Sequence, residues 1–233
     1  NRFNNPVDIE SISRKQAVVS FFEPNYFNMI TIGRLDAGKN HELLIRALQN
    51  IPQARLYLLG AGVLLEHLTE LTKQLNLQDR VIFLGFDNNP YQYLKAADLF
   101  VFGSNHEGFP NVLLEAMCCG LPILTTNCKS GPSEIMKLEK SVENDIMTTP
   151  YGILTPVGDV NTMAKGMAYF VENPDYLTSC KTHVLDRIKD FVGTRYDIHV
   201  VNALIRACAD GQIGVGRVKL KNFKPKQIKK VKD

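Results

Sequence analysis

The chain of 233 residues has no tryptophan, a gap that excludes nothing by itself. Other scarcities say more. No apolar run approaches the ~20 residues that a membrane-spanning helix needs, and no secretory leader is recognisable. Cysteines number five, an odd count, and none of their spacings suits a zinc site or a disulfide framework. They read as reduced thiols of a cytoplasmic protein, with the neighbours Cys118 and Cys119 packed in or near the core. A formal net charge of +3 is too small to argue for nucleic acid as a partner. An initiator methionine is missing as well, and Asn1 to Asp8 reads like a linker, as in a piece cut from a longer protein.

The charge is unevenly placed. Lys219, Lys221, Lys224, Lys226, Lys229, Lys230 and Lys232 crowd the last stretch, with Asp233 the single acid there. The plainer reading is a solvated, frayed terminus. Such a tail would also suit an anionic membrane surface, at about 1 kcal/mol per basic residue near the lipid. That option would bring the protein to the inner face of the membrane.

What the chain does have is 45% hydrophobic residues, enough for a substantial core, arranged as strand-like runs between helix-like runs. Residues 29–33, 56–60, 81–85, 99–103, 122–125 and 152–155 read as strands. Residues 41–48, 64–75, 91–97 and 112–119 read as the helices between them, with Leu64, Leu68, Leu71 and Leu75 on one face of the second. Continuously apolar strands separated by helices imply an α/β fold: a Rossmann-like parallel sheet with helices on both faces. Helices at 159–171, capped by Asp159, then at 175–190 and 195–210, should follow it. The expected division is a linker over 1–15, a nucleotide-binding domain over 16–210 and a basic tail over 211–233.

Four of the strand runs end in glycine: Gly33, Gly60, Gly85 and Gly103. Glycine lets the chain turn sharply and lets a ligand approach. Ligands of open α/β sheets sit beyond the carboxyl ends of the strands, so the loops after these glycines should build the site.

Two of those loops carry chemistry. After the first strand come Gly33, Arg34, Lys39 and then a helix start. Two cations beside a helix N-terminus suit an anion, and a diphosphate is the natural guest. The segment is not a Walker loop, because Asn40 follows Lys39. A solvated basic loop remains the alternative for this feature alone. After the fourth strand come His106, Glu107, Gly108, Phe109, Pro110, Asn111, Val112 and, eight residues past Glu107, Glu115. Carboxylates accept bonds from sugar hydroxyls. Glu115 interrupts an apolar run, where a charge is costly unless paired or solvated. His106 reads as a surface histidine.

The run from Glu107 through Glu115 to Gly120 resembles the E-x7-E signature of retaining GT-B glycosyltransferases, family GT4. Gly33 to Lys39 is similar to that family's G-R-L-x-x-x-K, Leu58 to Gly62 to its G-x-G strand end, and Val81 to Gly85 to the strand before its base-binding loop. The elements come in the family's order over roughly residues 1–170. Asn5 to Asp8 resembles the start of the family's C-terminal domain.

The resemblance implies the C-terminal, donor-binding half of a GT-B enzyme, a hexosyltransferase whose co-substrate is a nucleotide-diphosphate sugar, by first expectation a UDP-sugar. It implies catalytic roles for Arg34 and Lys39, which would neutralise the leaving diphosphate, and for Glu107, which would hold the donor sugar. Glu115 would hold the ribose. Backbone N–H groups around Gly108 to Val112 would contact sugar and phosphates, Gly33 and Gly60 would border the donor, and Phe86 the base. No metal and no further cofactor are implied, the protein's cations replacing a divalent ion; no D-x-D occurs. The acceptor, a polysaccharide, lipid-linked or other cell-surface glycan, would depend on a missing N-terminal domain, without which the chain should bind nucleotide and not turn over. Two alternatives stay open: a non-catalytic nucleotide- or membrane-binding module, and a GT-B sugar-nucleotide epimerase.

Overall fold

The computed structural model describes residues 22–191. The linker over 1–15, the helix expected at 195–210 and the lysine-rich tail lie outside the described residues.

Seven strands form one sheet: β1 (Phe27–Ile32), β2 (Ala54–Leu59), β3 (Val81–Gly85), β4 (Leu99–Phe102), β5 (Ile123–Thr126), β6 (Met147–Thr149) and β7 (Gly152–Thr155). Their order is β3-β2-β1-β4-β5-β7-β6. All pairs are parallel except the edge pair β6–β7. The helices are α1 (His41–Ala47, prolonged by a 3-10 turn over Leu48–Asn50), α2 (Leu65–Gln74), α3 (Tyr91–Ala96), α4 (Asn111–Cys118), α5 (Pro132–Ile135), α6 (Val160–Glu172) and α7 (Pro174–Lys189).

The strands are apolar on both faces because both faces are covered. Met29, Leu56, Leu58, Leu99, Val101, Leu124 and Ile153 pack against Leu43 and Leu44 of α1, Leu68 and Leu71 of α2 and Met163, Met167 and Phe170 of α6. Ile30, Tyr57, Phe100, Phe102, Ile123 and Leu154 face Leu94 of α3, Leu113 and Met117 of α4, Ile135 of α5 and Val184 and Ile188 of α7. Each side chain fully buried this way contributes roughly 1.5–3 kcal/mol of transfer free energy.

Sequence and structure agree on six strands and six of the helices, with boundaries shifted by a residue or two. Asp159 caps α6 as expected, its carboxylate accepting from the N–H groups of Asn161 (2.9 Å) and Thr162 (3.1 Å). β6 and α5 are additions.

Strand order reverses between β1 and β4. From β1 the chain moves outward through β2 to β3, then returns to the other side of β1 as β4. This is the switch point at which the connecting loops diverge and open a crevice. The loops beside that crevice are 33–40 and 103–110.

Candidate functional site

Lys39 and Glu107 meet across the switch point. Their side chains form an ion pair, Nζ to Oε1, at 2.5 Å, with 24% and 12% of each exposed. The lysine stem folds back across Gly33, and its ammonium lies 5.1 Å from the Phe102 ring centroid at the end of β4. A cation over an aromatic face gains about 0.5–1 kcal/mol more. One charged pair thus closes the two loops on each other, 68 residues apart in sequence.

Further hydrogen bonds lock the loops together. Asn105 N–H donates to Gly38 O (2.9 Å), Asn105 Nδ2 to Ala37 O (3.2 Å) and Asn40 Nδ2 to Asn105 Oδ1 (3.0 Å). Asn40, in the left-handed region at φ 47°, also caps α1 through its Oδ1. The Ser104 hydroxyl, wholly buried, lies 2.7 Å from Glu107 Oε1, 3.0 Å from Gly38 O and 3.1 Å from His106 O. Thr126 of β5 in turn donates to Ser104 O at 2.6 Å.

Arg34 stands apart. Its guanidinium is 83% exposed and pairs with Asp36 at 3.1 Å. An exposed pair of this kind holds by about 0–1 kcal/mol, so the arginine can swing to an arriving anion.

α4 begins at Asn111 without a side-chain cap, unlike α1 and α6. Two of its first N–H groups already have backbone acceptors, Asn111 donating to Phe109 O (3.0 Å) and Leu113 to Pro110 O (3.0 Å), and the helix end still carries a positive dipole that favours an anion. Glu115 lies in the second turn of α4. It is half-buried, and among the described residues no donor reaches its carboxylate. Burial raises its pKa above the ordinary carboxylate value.

Two more buried groups border the loops. Cys128, after β5, has its thiol pKa raised, first by burial and then by the charge of Glu107. His41, the first residue of α1, is pushed down to about 4 by burial and stays neutral.

Two glycines allow close approach between separate parts of the chain. A Cβ on Gly60, at φ +159°, would lie 1.8 Å from Gly33 O, so this glycine makes room for the neighbouring loop. Gly131, at φ +101°, does the same for Pro110, whose Cδ would be 2.4 Å from a Cβ there. The turn after β5 is thereby a third wall of the site, against the Gly108–Pro110 segment. Gly108 itself faces open space.

The described residues hold no group of three or more His, Cys, Asp and Glu side chains able to bind a metal ion. They include no helix long and apolar enough to cross a membrane.

Residues 13–184 match the model of the family described as glycosyl transferases group 1. The chain belongs to that family. Over 188 residues this group 1 chain is 36% identical to the N-acetylgalactosamine-N,N'-diacetylbacillosaminyl-diphospho-undecaprenol 4-alpha-N-acetylgalactosaminyltransferase of Campylobacter jejuni, covering 80% of this chain and 48% of that protein. It is 32% identical over 116 residues to the lipopolysaccharide 1,6-galactosyltransferase of Salmonella typhimurium, covering 48% of this chain and 32% of that one. Among solved structures, HepE of Anabaena in complex with UDP-glucose superimposes with a TM-score of 0.64 at 25% identity, covering 89% of this chain and 54% of that chain. Structures of this kind share the GT-B architecture, and the α/β sheet described above corresponds to one of its halves. The group 1 chain spans about half the length of the curated relatives it matches first.

Of the residues singled out from the sequence, the group 1 fold brings Lys39 and Glu107 into contact and sets Gly33 under the lysine stem. It places Phe109, Pro110, Asn111 and Val112 at the start of α4. It leaves Phe86 after β3 with 73% of its surface exposed and Arg34 on the solvent side. Sequence reasoning passed over Ser104, Asn105 and the Gly131 turn. A serine three residues before a site glutamate, just after a wholly apolar strand, was the available signal for the first.

Proposed function

We propose that the chain binds a nucleotide-diphosphate sugar, a UDP-sugar in the first instance, in the crevice between the loops after β1 and β4. The observation that carries this reading is the pairing of Lys39 with Glu107 at the switch point, beside an uncapped helix whose Glu115 has no donor among the described residues. In this scheme Arg34, Lys39 and the start of α4 take the diphosphate. Glu107 accepts from hydroxyls of the sugar, Glu115 accepts from the ribose hydroxyls, and Phe86 borders the base. The charge on the phosphates is met by protein groups, without a metal ion. HepE, which binds UDP-glucose, supports the class of ligand.

In the whole protein the reaction is hexosyl transfer with retention. The bond from the anomeric carbon to the β-phosphate oxygen breaks, and the acceptor oxygen bonds to that carbon on the same face. The acceptor proton passes to the departing diphosphate. Lys39, Arg34 and the α4 N–H groups stabilise the charge that develops there. The names of the Campylobacter and Salmonella relatives support a lipid-linked or lipopolysaccharide acceptor. The acceptor side belongs to an N-terminal domain outside this chain, so the chain alone binds donor without turnover. The division into linker, nucleotide-binding domain and basic tail, with the tail on an anionic membrane surface, is part of the same proposal.

Calorimetric titration with UDP, GDP and ADP tests the site. Micromolar to low-millimolar binding of UDP, weakened by Arg34→Ala and by Glu115→Ala, is the expected result. A folded chain that binds none of the three would overturn the reading.

A further inference from the structure

Glu107 presents its two carboxylate oxygens unequally. Both protein donors converge on Oε1: Lys39 Nζ at 2.5 Å and the Ser104 hydroxyl at 2.7 Å. Among the described residues none reaches Oε2. The Ser104 hydroxyl has a single hydrogen and three acceptors within reach: this oxygen, Gly38 O at 3.0 Å and His106 O at 3.1 Å. The carboxylate is both the nearest and the only charged one, and a bond to an ionised acceptor is about twice as strong as a neutral one. The hydrogen therefore goes to Glu107.

Ser104 itself cannot drift. It is fully buried two residues past β4, and its carbonyl accepts from Thr126 on the adjacent strand at 2.6 Å. A partial rotation of the Glu107 carboxylate would forfeit Ser104 and Lys39 together, and a half-turn only exchanges its equivalent oxygens, so the group is held in one orientation.

We propose that Ser104 is a positioning residue for sugar recognition: with Lys39 it saturates Oε1 of Glu107 and so directs Oε2 to the hydroxyls of the donor sugar. This rests on the donor-site reading above and adds a residue and an atom to it. Ser104 touches no ligand in this scheme. Its effect is on the sugar and not on the nucleotide, because Lys39, Arg34 and the start of α4 keep their places without it.

The test compares affinities for UDP with those for UDP-glucose and UDP-N-acetylglucosamine, by calorimetry on the chain, for wild type, Ser104→Ala and Ser104→Cys. The cysteine variant keeps approximate shape with a much weaker donor. Thermal melts establish that each variant is folded. The expected result is a UDP affinity within about twofold of wild type, with the extra affinity conferred by the sugar falling about tenfold in both variants, the loss of one charge-assisted hydrogen bond. Equal losses for UDP and UDP-sugar would make Ser104 a structural residue and overturn the proposal. So would an unchanged sugar contribution in folded variants. Wild type that binds UDP but gains nothing from either sugar would overturn the proposal alone, while wild type that binds no nucleotide would remove the donor site with it.

Discussion

Two carboxylates of the same site are housed in opposite ways. Glu107 sits in a loop where a lysine and a serine converge on one of its oxygens, in a pocket closed by bonds between two loops. Glu115 sits one helix turn deeper, half-buried in α4 with no donor supplied by the described residues, and burial raises its pKa. The first is a finished arrangement in the empty protein. The second is an unmet cost. A ligand must share the groups of the first and completes the second. A donor entering the crevice shares Lys39 with Glu107, the three N–H groups of the ammonium serving carboxylate and phosphate together, whereas at Glu115 it brings the missing hydrogen-bond donors.

The contrast can be broken most severely at Lys39. Lys39→Met should weaken UDP binding about 30-fold, the loss of a charge-assisted contact to phosphate. It should also lower stability by about 1–3 kcal/mol, because Glu107 keeps only Ser104 as a donor. Calorimetry and chemical denaturation read the two effects. Glu107→Gln acts on the other partner and sharpens the picture. With Glu107 uncharged, more of the positive potential of Lys39 reaches the diphosphate, so UDP alone should bind about 2–5-fold tighter, within the range of a weakened ion pair. The added affinity from the sugar should fall in the same titrations. A weaker UDP affinity in this variant would mean that Glu107 assists diphosphate binding instead of drawing charge from Lys39. Arg34→Ala should have the smallest consequence. Its exposed pair with Asp36 contributes little, so melting should be unchanged, while UDP affinity falls about threefold and loses part of its salt dependence.

The layers of the fold were legible because every central strand is a short apolar run between helices. β6 was not, since Met147–Thr149 is a three-residue edge strand with neither alternation nor an apolar run. Nor was α5, whose four residues, Pro132–Ile135, are too few to show a helical period. The site was legible as loops gathered at the carboxyl ends of the strands. The direct contact of Lys39 with Glu107 was not, because strand order decides it: β4 lies beside β1 through pairs such as Met29 with Leu99, and no local pattern encodes that neighbour. Gly60 and Gly131 show the same limit. Each was visible as a glycine, but the backbone or proline ring that needs its missing Cβ comes from another part of the chain.

The claim that Glu115 is held for a ligand is tested most directly by Glu115→Gln, measured for stability and for UDP affinity in one set of experiments. A carboxyl whose pKa is raised by burial stabilises the fold while protonated, and that contribution is lost as pH rises through the folded-state pKa. At pH 7 the neutral amide should therefore melt about 2 °C above wild type, with the gain vanishing towards acid pH. UDP affinity should fall about tenfold, because an amide oxygen accepts from the ribose hydroxyls less strongly than a carboxylate. Stability up and affinity down is the expected pair of results. A variant that melts lower than wild type, or that binds UDP just as well, would contradict a carboxylate kept unpartnered for the nucleotide.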